Sequence, residues 1–161
     1  MAEQAEVSNL SHLTASEKLM ISLVGFASES EALDPIRIMK GLFIVCMKSP
    51  KEYFGGGLPY EFQPYLYGPY SGKVYDDLAR LEELKLIFKR LVPGQSWARY
   101  YPTPEGKKTA AMAIARYDDR LGNYIGSVYR YVQGKDFASL LNEVYKAFPD
   151  YAVNSVFQSQ Y

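Results

Sequence analysis

Two short runs of β-branched, aromatic and basic residues, Leu86–Leu91 and Trp97–Tyr101, flank the turn sequence Val92-Pro93-Gly94-Gln95-Ser96. Such runs on either side of a Pro-Gly turn predict a β-hairpin. This hairpin constrains the fold more than any other stretch, because most of the remaining chain reads as helix. What precedes it therefore decides the architecture.

Thr14-Ala15-Ser16-Glu17 has the form of a capping box, in which the Thr and Glu side chains satisfy free amides at a helix start. Leu19, Leu23 and Phe26 follow at helical spacing. Asp34-Pro35 opens a second helix, a capping acid before a proline already set for the first turn. Ile36, Met39, Phe43 and Met47 line one face of it, and Leu42, Ile44 and Val45 fill much of the rest. A helix apolar nearly all round belongs at the centre of a domain. Ser49-Pro50 ends it, and Gly55-Gly56-Gly57 marks a flexible loop. The aromatic stretch YEFQPYLYGPYS is interrupted by Pro64 and Pro69, which predicts at best one short edge strand feeding a turn. Ser71 is placed to cap a third helix, with Val74, Leu78 and Leu81 on its buried stripe.

After the hairpin, Thr103-Pro104-Glu105 is a further helix start. Three helical stretches follow. The last two carry regular apolar stripes, Leu121 to Val132 and Phe137 to Phe148, separated by Gly134. The expected fold is thus mainly α with a small β component. Three helices and a hairpin wing form a winged-helix-type core, followed by C-terminal helices. The expected organisation is a mobile N-terminus at 1–13, the core at 14–110 and a helical extension at 111–161. One departure stands out: about 20 residues, Ser49 to Tyr70, separate helices two and three, where a strict helix-turn-helix has a turn of three or four.

Residues 61–87, EFQPYLYGPYSGKVYDDLARLEELKLI, resemble a stretch of the Panacea domain, an antitoxin-like group also described as phage-associated proteins. There an aromatic strand leads through a Gly-Pro turn into a helix with a leucine-rich end. The resemblance implies a protein that neutralises a toxin through protein contacts, or one that acts as an adaptor for proteolysis. Separately, Tyr101-Pro102-Thr103-Pro104-Glu105-Gly106-Lys107 is similar to the exit from the wing in many bacterial winged-helix regulators.

The charge distribution bears on partners. The chain has a net charge of zero, but residues 85–108 carry Lys85, Lys89, Arg90, Arg99, Lys107 and Lys108 against Glu105 alone. A local excess of this kind attracts phosphates. No apolar run is long enough for a membrane helix, no secretory signal opens the chain, and the single cysteine lies in the apolar run LFIVCM. A cytoplasmic protein without a membrane partner is expected.

Catalysis is not expected. His12 precedes the first helix in a polar segment, and Cys46 lies in the most apolar helix, so neither is a positioned base or nucleophile. One Cys and one His leave no common zinc site, and neither a metal nor a cofactor is expected. The acid pairs Asp76-Asp77, Glu82-Glu83 and Asp118-Asp119 read as solvated helix surface.

Two binding readings follow. The first is a DNA-binding transcription regulator, with phosphate or base contacts from Lys73, Arg80, Lys89, Arg90, Gln95 and Arg99. Its duplex partner would be bound by a homodimer joined through residues 121–148. Against it, the third helix also carries Asp76, Asp77, Glu82 and Glu83. The alternative is a protein-interaction module of antitoxin or proteolytic-adaptor type, gripping a partner such as a toxin through Tyr60, Tyr65, Tyr67 and Tyr70.

Overall fold

Most of the helix starts are built by the side chains placed there for it. In the computed structural model, which describes residues 10–28 and 31–156, helix α1 (Ala15–Val24) opens on a complete Thr14–Glu17 capping box. Asp34 caps α2 (Pro35–Lys48), accepting from the amide of Arg37 at 2.9 Å. Thr103 caps α4 (Pro104–Arg116), and Asp136 caps α6 (Phe137–Ala147). Between them lie strands β1 (Gln63–Tyr65) and β2 (Gly68–Tyr70), helix α3 (Gly72–Glu83), strands β3 (Ile87–Leu91) and β4 (Ala98–Pro102), and helix α5 (Asp119–Gln133). Two 3-10 turns, Lys51–Phe54 and Pro149–Ala152, complete the order. Ser71 stands at the start of α3 as expected, but its side chain makes no capping hydrogen bond.

The fold is mainly α with a small β component. Strands β3 and β4 pair antiparallel from Ile87↔Pro102 to Leu91↔Ala98. A third short edge is added by Leu33, whose carbonyl accepts from the amide of Tyr100 at 2.9 Å. Helices α1, α2 and α3 precede the hairpin in the expected chain order, and this bridge joins its edge to the start of α2. The aromatic stretch before α3 holds more structure than expected. It forms a second hairpin, β1–β2, in which Pro64 faces Pro69. In an antiparallel pair, alternate residue pairs exchange no ladder hydrogen bonds, so two prolines opposite each other at such a site remove none.

Helix α2 lies at the centre. Phe43 is fully buried and meets Phe62, Phe148 and Tyr151 edge-on at 4.7–5.3 Å. One ring thus ties the insertion and the C-terminal segment to the same helix. The two C-terminal stripes do not stand apart as an extension with a free face: Leu121, Ile125, Val128, Val132, Leu140 and Val144 belong to the same core as α1 and α2. Most of the stripe residues thus pack within one chain, while Tyr124, Phe137 and Phe148 are half-buried. Of the stretch expected to be mobile, residues 1–9 lie outside the described residues, whereas Leu10 and Leu13 are buried in this core. Met47 and Phe26, expected on buried stripes, are 41% and 37% exposed. Among the described residues no helix is long and apolar enough to cross a membrane.

The hairpin joins α3 and α4 through two backbone contacts. The α3 end is a Schellman turn: the Leu86 amide donates to Leu81 O and the Lys85 amide to Glu82 O, both at 3.0 Å. Lys85 takes the left-handed conformation at φ 59°, usually reserved for glycine, which costs about 1 kcal/mol. The Thr103 hydroxyl donates to Lys85 O at 2.7 Å, and the Thr103 amide to Leu86 O at 3.0 Å. Gly106 lies flush against this joint, and a Cβ there would stand 1.8 Å from Leu86 O. Gly106→Ala is expected to lower unfolding free energy by about 3 kcal/mol or more, since the obstructing atom is backbone; a urea midpoint unchanged from wild type would refute this contact.

Candidate binding cleft

The insertion is fixed at its root by Tyr60, which is 1% exposed. Its hydroxyl donates to Asp77 Oδ2 at 2.5 Å and lies 3.0 Å from Ser16 O, linking the insertion to α3 and α1. Tyr60 was expected on a partner-facing surface; buried this far, it belongs to the core. Asp77 is likewise buried at 6% exposure, not solvated as its place beside Asp76 suggested. Burial raises its carboxyl above the usual range.

From this root the β1–β2 hairpin projects an aromatic row. Tyr65 meets Tyr70 at 4.8 Å between ring centroids, the planes tilted by 37°, and Tyr70 meets Tyr75 of α3 at 6.1 Å. Tyr67 meets Phe137 edge-on at 5.7 Å. Tyr65, Tyr67 and Tyr75 are 45–49% exposed. Gly68 closes the hairpin at φ +89°, and a Cβ there would press on the Tyr145 ring at 3.0 Å. Glycine meets both demands at once, the left-handed backbone and the close approach to α6.

Beneath the row is a cleft of about 260 Å³ between the hairpin, α2 and α3. A second hollow of about 300 Å³, lined by Asp34, Arg37, Trp97 and Phe137, shares Ile36 and Tyr75 with the first. Lys40 lines the cleft from the middle of α2. It is 3% exposed, and its Nζ donates to Pro69 O at 3.0 Å. Among the described residues no carboxylate pairs with it. Burial holds this ammonium down at about 8, from the ordinary 10.5. Arg37, by contrast, is fully engaged. It pairs with Asp34, and its Nε and Nη2 donate to Lys135 O at 3.2 and 2.8 Å.

The residues expected to touch nucleic acid do not share one surface. Side chains alternate across a strand. Register and ring contacts put Arg90 opposite Arg99 on one face of the β3–β4 hairpin, beside Phe88 and Tyr101. Arg90 lies over both of those rings at 5.3 and 5.4 Å, and Arg99 lies over Trp97 at 5.8 Å. Lys89 is on the other face and pairs with Glu82 of α3 at 3.9 Å. Gln95 is exposed at the hairpin tip. Lys73 and Arg80 are exposed on α3, whose outward side also presents Asp76, Ala79 and Glu83. Cys46 is buried and its thiol is pushed up to about 12, so it stays protonated at neutral pH. His12 is exposed at the surface. No protein-family model matches the chain, and no curated protein matches it.

Lys40, Tyr75 and Trp97 were not singled out from sequence. For Lys40 a signal existed: a lysine in a helix apolar nearly all round has no solvent face on which to place its charge.

Two outcomes are expected. Tyr60→Phe removes a donor from a buried carboxyl and should cost about 1–3 kcal/mol in a urea melt. Between pH 8 and 10.5 the unfolded chain retains the Lys40 proton that the folded chain has released, so wild-type stability rises with pH there. The stability difference, wild type minus Lys40→Met, should therefore be flat below pH 7 and climb by on the order of 3 kcal/mol up to pH 10.5. Urea midpoints across that range check it, and a flat difference throughout would contradict the buried ammonium.

Proposed function

We propose that this protein is a non-catalytic binding module that grips an extended segment of a partner protein in the aromatic cleft between α2, the β1–β2 hairpin and α3. The observation that carries this reading is the row Tyr65–Tyr70–Tyr75, tilted rings in contact along a cleft, with Tyr65 and Tyr75 about half exposed. Tyrosine gives a large contact area and a hydroxyl at low entropic cost. The rings are pre-positioned by a hairpin whose root is buried, so little ordering remains for binding to offset. This fits the antitoxin or adaptor role that the Panacea-like stretch at 61–87 implies, with cleavage or transfer chemistry left to the partner.

Binding of duplex DNA by α3 and the hairpin is the second reading. One observation favours it: Arg90 and Arg99 lie side by side, a pairing of like charges that an anion between them would relieve. The outward side of α3 sets Asp76 and Glu83 against Lys73 and Arg80, so it offers phosphates no net attraction where a recognition helix needs it.

A photo-crosslinking amino acid placed at Tyr67 or at Gln95, in cells that natively express the protein, separates the two. The cleft reading expects protein adducts from position 67 and few from position 95. DNA adducts at position 95, with none of protein at position 67, would reverse the order. In a gel shift, low-salt retardation of random duplex DNA that is lost in Arg90→Glu/Arg99→Glu would likewise favour the second reading.

A further inference from the structure

We infer that the cleft is selective for a carboxylate: the segment it holds presents an Asp or Glu side chain, or a chain terminus, to the Lys40 ammonium. This inference rests on the reading of the cleft as a protein-binding site.

The argument begins with the donor count. A lysine ammonium has three N–H donors, and Lys40 gives one of them to Pro69 O at 3.0 Å. No further acceptor for the other two is present among the described residues, and the side chain lines the open cleft. A cation 3% exposed, with one neutral partner and no counter-ion, is unfavourable unless something completes it. Chemistry that only stabilised the fold would place an apolar residue here, since the rest of α2 at this depth is Ile38, Met39, Leu42 and Phe43. The charge therefore matches an anion arriving from outside. The walls of the cleft include the rings of Tyr65, Tyr70 and Tyr75.

The anion carries a single charge. Arg37, the nearest other cation on α2, is committed to Asp34 and to Lys135 O. With only one ammonium available, and the Asp34 carboxylate in the adjoining hollow, a dianionic phosphate would remain partly uncompensated. A carboxylate matches both the charge and the apolar, aromatic walls that would hold the residues beside it.

The test is a selection of random 12-residue peptides displayed on phage, run against the full-length chain. Peptides from it are then resynthesised with each acid changed to its amide, and with free or amidated C-termini. One carboxylate is expected to matter. Its change to an amide should weaken Kd by about tenfold or more on wild type, as for a charge-assisted hydrogen bond, and by less than about twofold on Lys40→Met. Which acid matters, side chain or terminus, distinguishes the two sources of the group.

Should Lys40→Met fail to fold, the ¹⁵N-lysine titration of the wild-type chain decides instead. Peptide binding should move the Lys40 midpoint up by about one pH unit or more, and an unmoved midpoint overturns the inference. Peptides that need Tyr75 (lost in Tyr75→Ser) but tolerate every acid-to-amide change overturn the carboxylate preference and leave the cleft reading standing. Peptides that bind Tyr65→Ser and Tyr75→Ser undiminished, or a selection that yields none, overturn the cleft reading and the inference with it.

Discussion

One buried hydroxyl holds the arrangement together. Tyr60 reaches Asp77 on α3 and Ser16 on α1 just before the chain enters the β1–β2 hairpin. That junction acts together with the Lys40 Nζ–Pro69 O hydrogen bond and with the Val156 amide, which donates to Leu66 O at 2.9 Å, to aim the roughly 20 residues that cross from α2 to α3. With these contacts, the β1–β2 hairpin leaves the core in a fixed direction, and Tyr65 and Tyr70 come into line with Tyr75. The interaction is also vulnerable. A carboxyl buried beside a phenol is favourable only while its few partners stay in place.

Features governed by neighbouring residues were legible in the sequence. The capping box at Thr14, the Asp34-Pro35 start and the turn between β3 and β4 are local chemistry, and each stands where the residue pattern put it. The apolar character of α2 placed it correctly at the centre. What the pattern could not convey was which side chains meet across distance. Asp77 and Asp76 are neighbours in sequence, yet one is buried against Tyr60, 17 residues away, and the other is exposed. The prolines at 64 and 69 argued against a hairpin individually and became compatible with one only as an opposed pair.

The candidate site was legible in part. Tyr65, Tyr67 and Tyr70 were visible as a cluster, and they do line one cleft. Their fellow Tyr60 shows the limit of that reasoning, because alternation along a chain does not say which ring the core will claim. The basic residues were visible as well, but a net charge summed along a segment does not reveal its division between the two faces of a hairpin. Arg90 and Arg99 lie on one face and Lys89 on the other, against Glu82. The buried Lys40 joins these two themes, since it brings a charge into the aromatic site and comes from a helix whose pattern emphasised its apolar residues.

The left-handed Lys85 has a consequence for motion. Its Schellman turn and the Thr103 hydroxyl both act on Lys85 and Leu86, in the three-residue link between α3 and β3. The hairpin therefore cannot swing about that joint without first unwinding the last turn of α3. In hydrogen-exchange terms this arrangement makes the two one opening unit, so the amides of Lys85 and Leu86 and those of β3 should exchange through a shared event. This side of the molecule is thus a rigid corner, with no loop closure of its own to await.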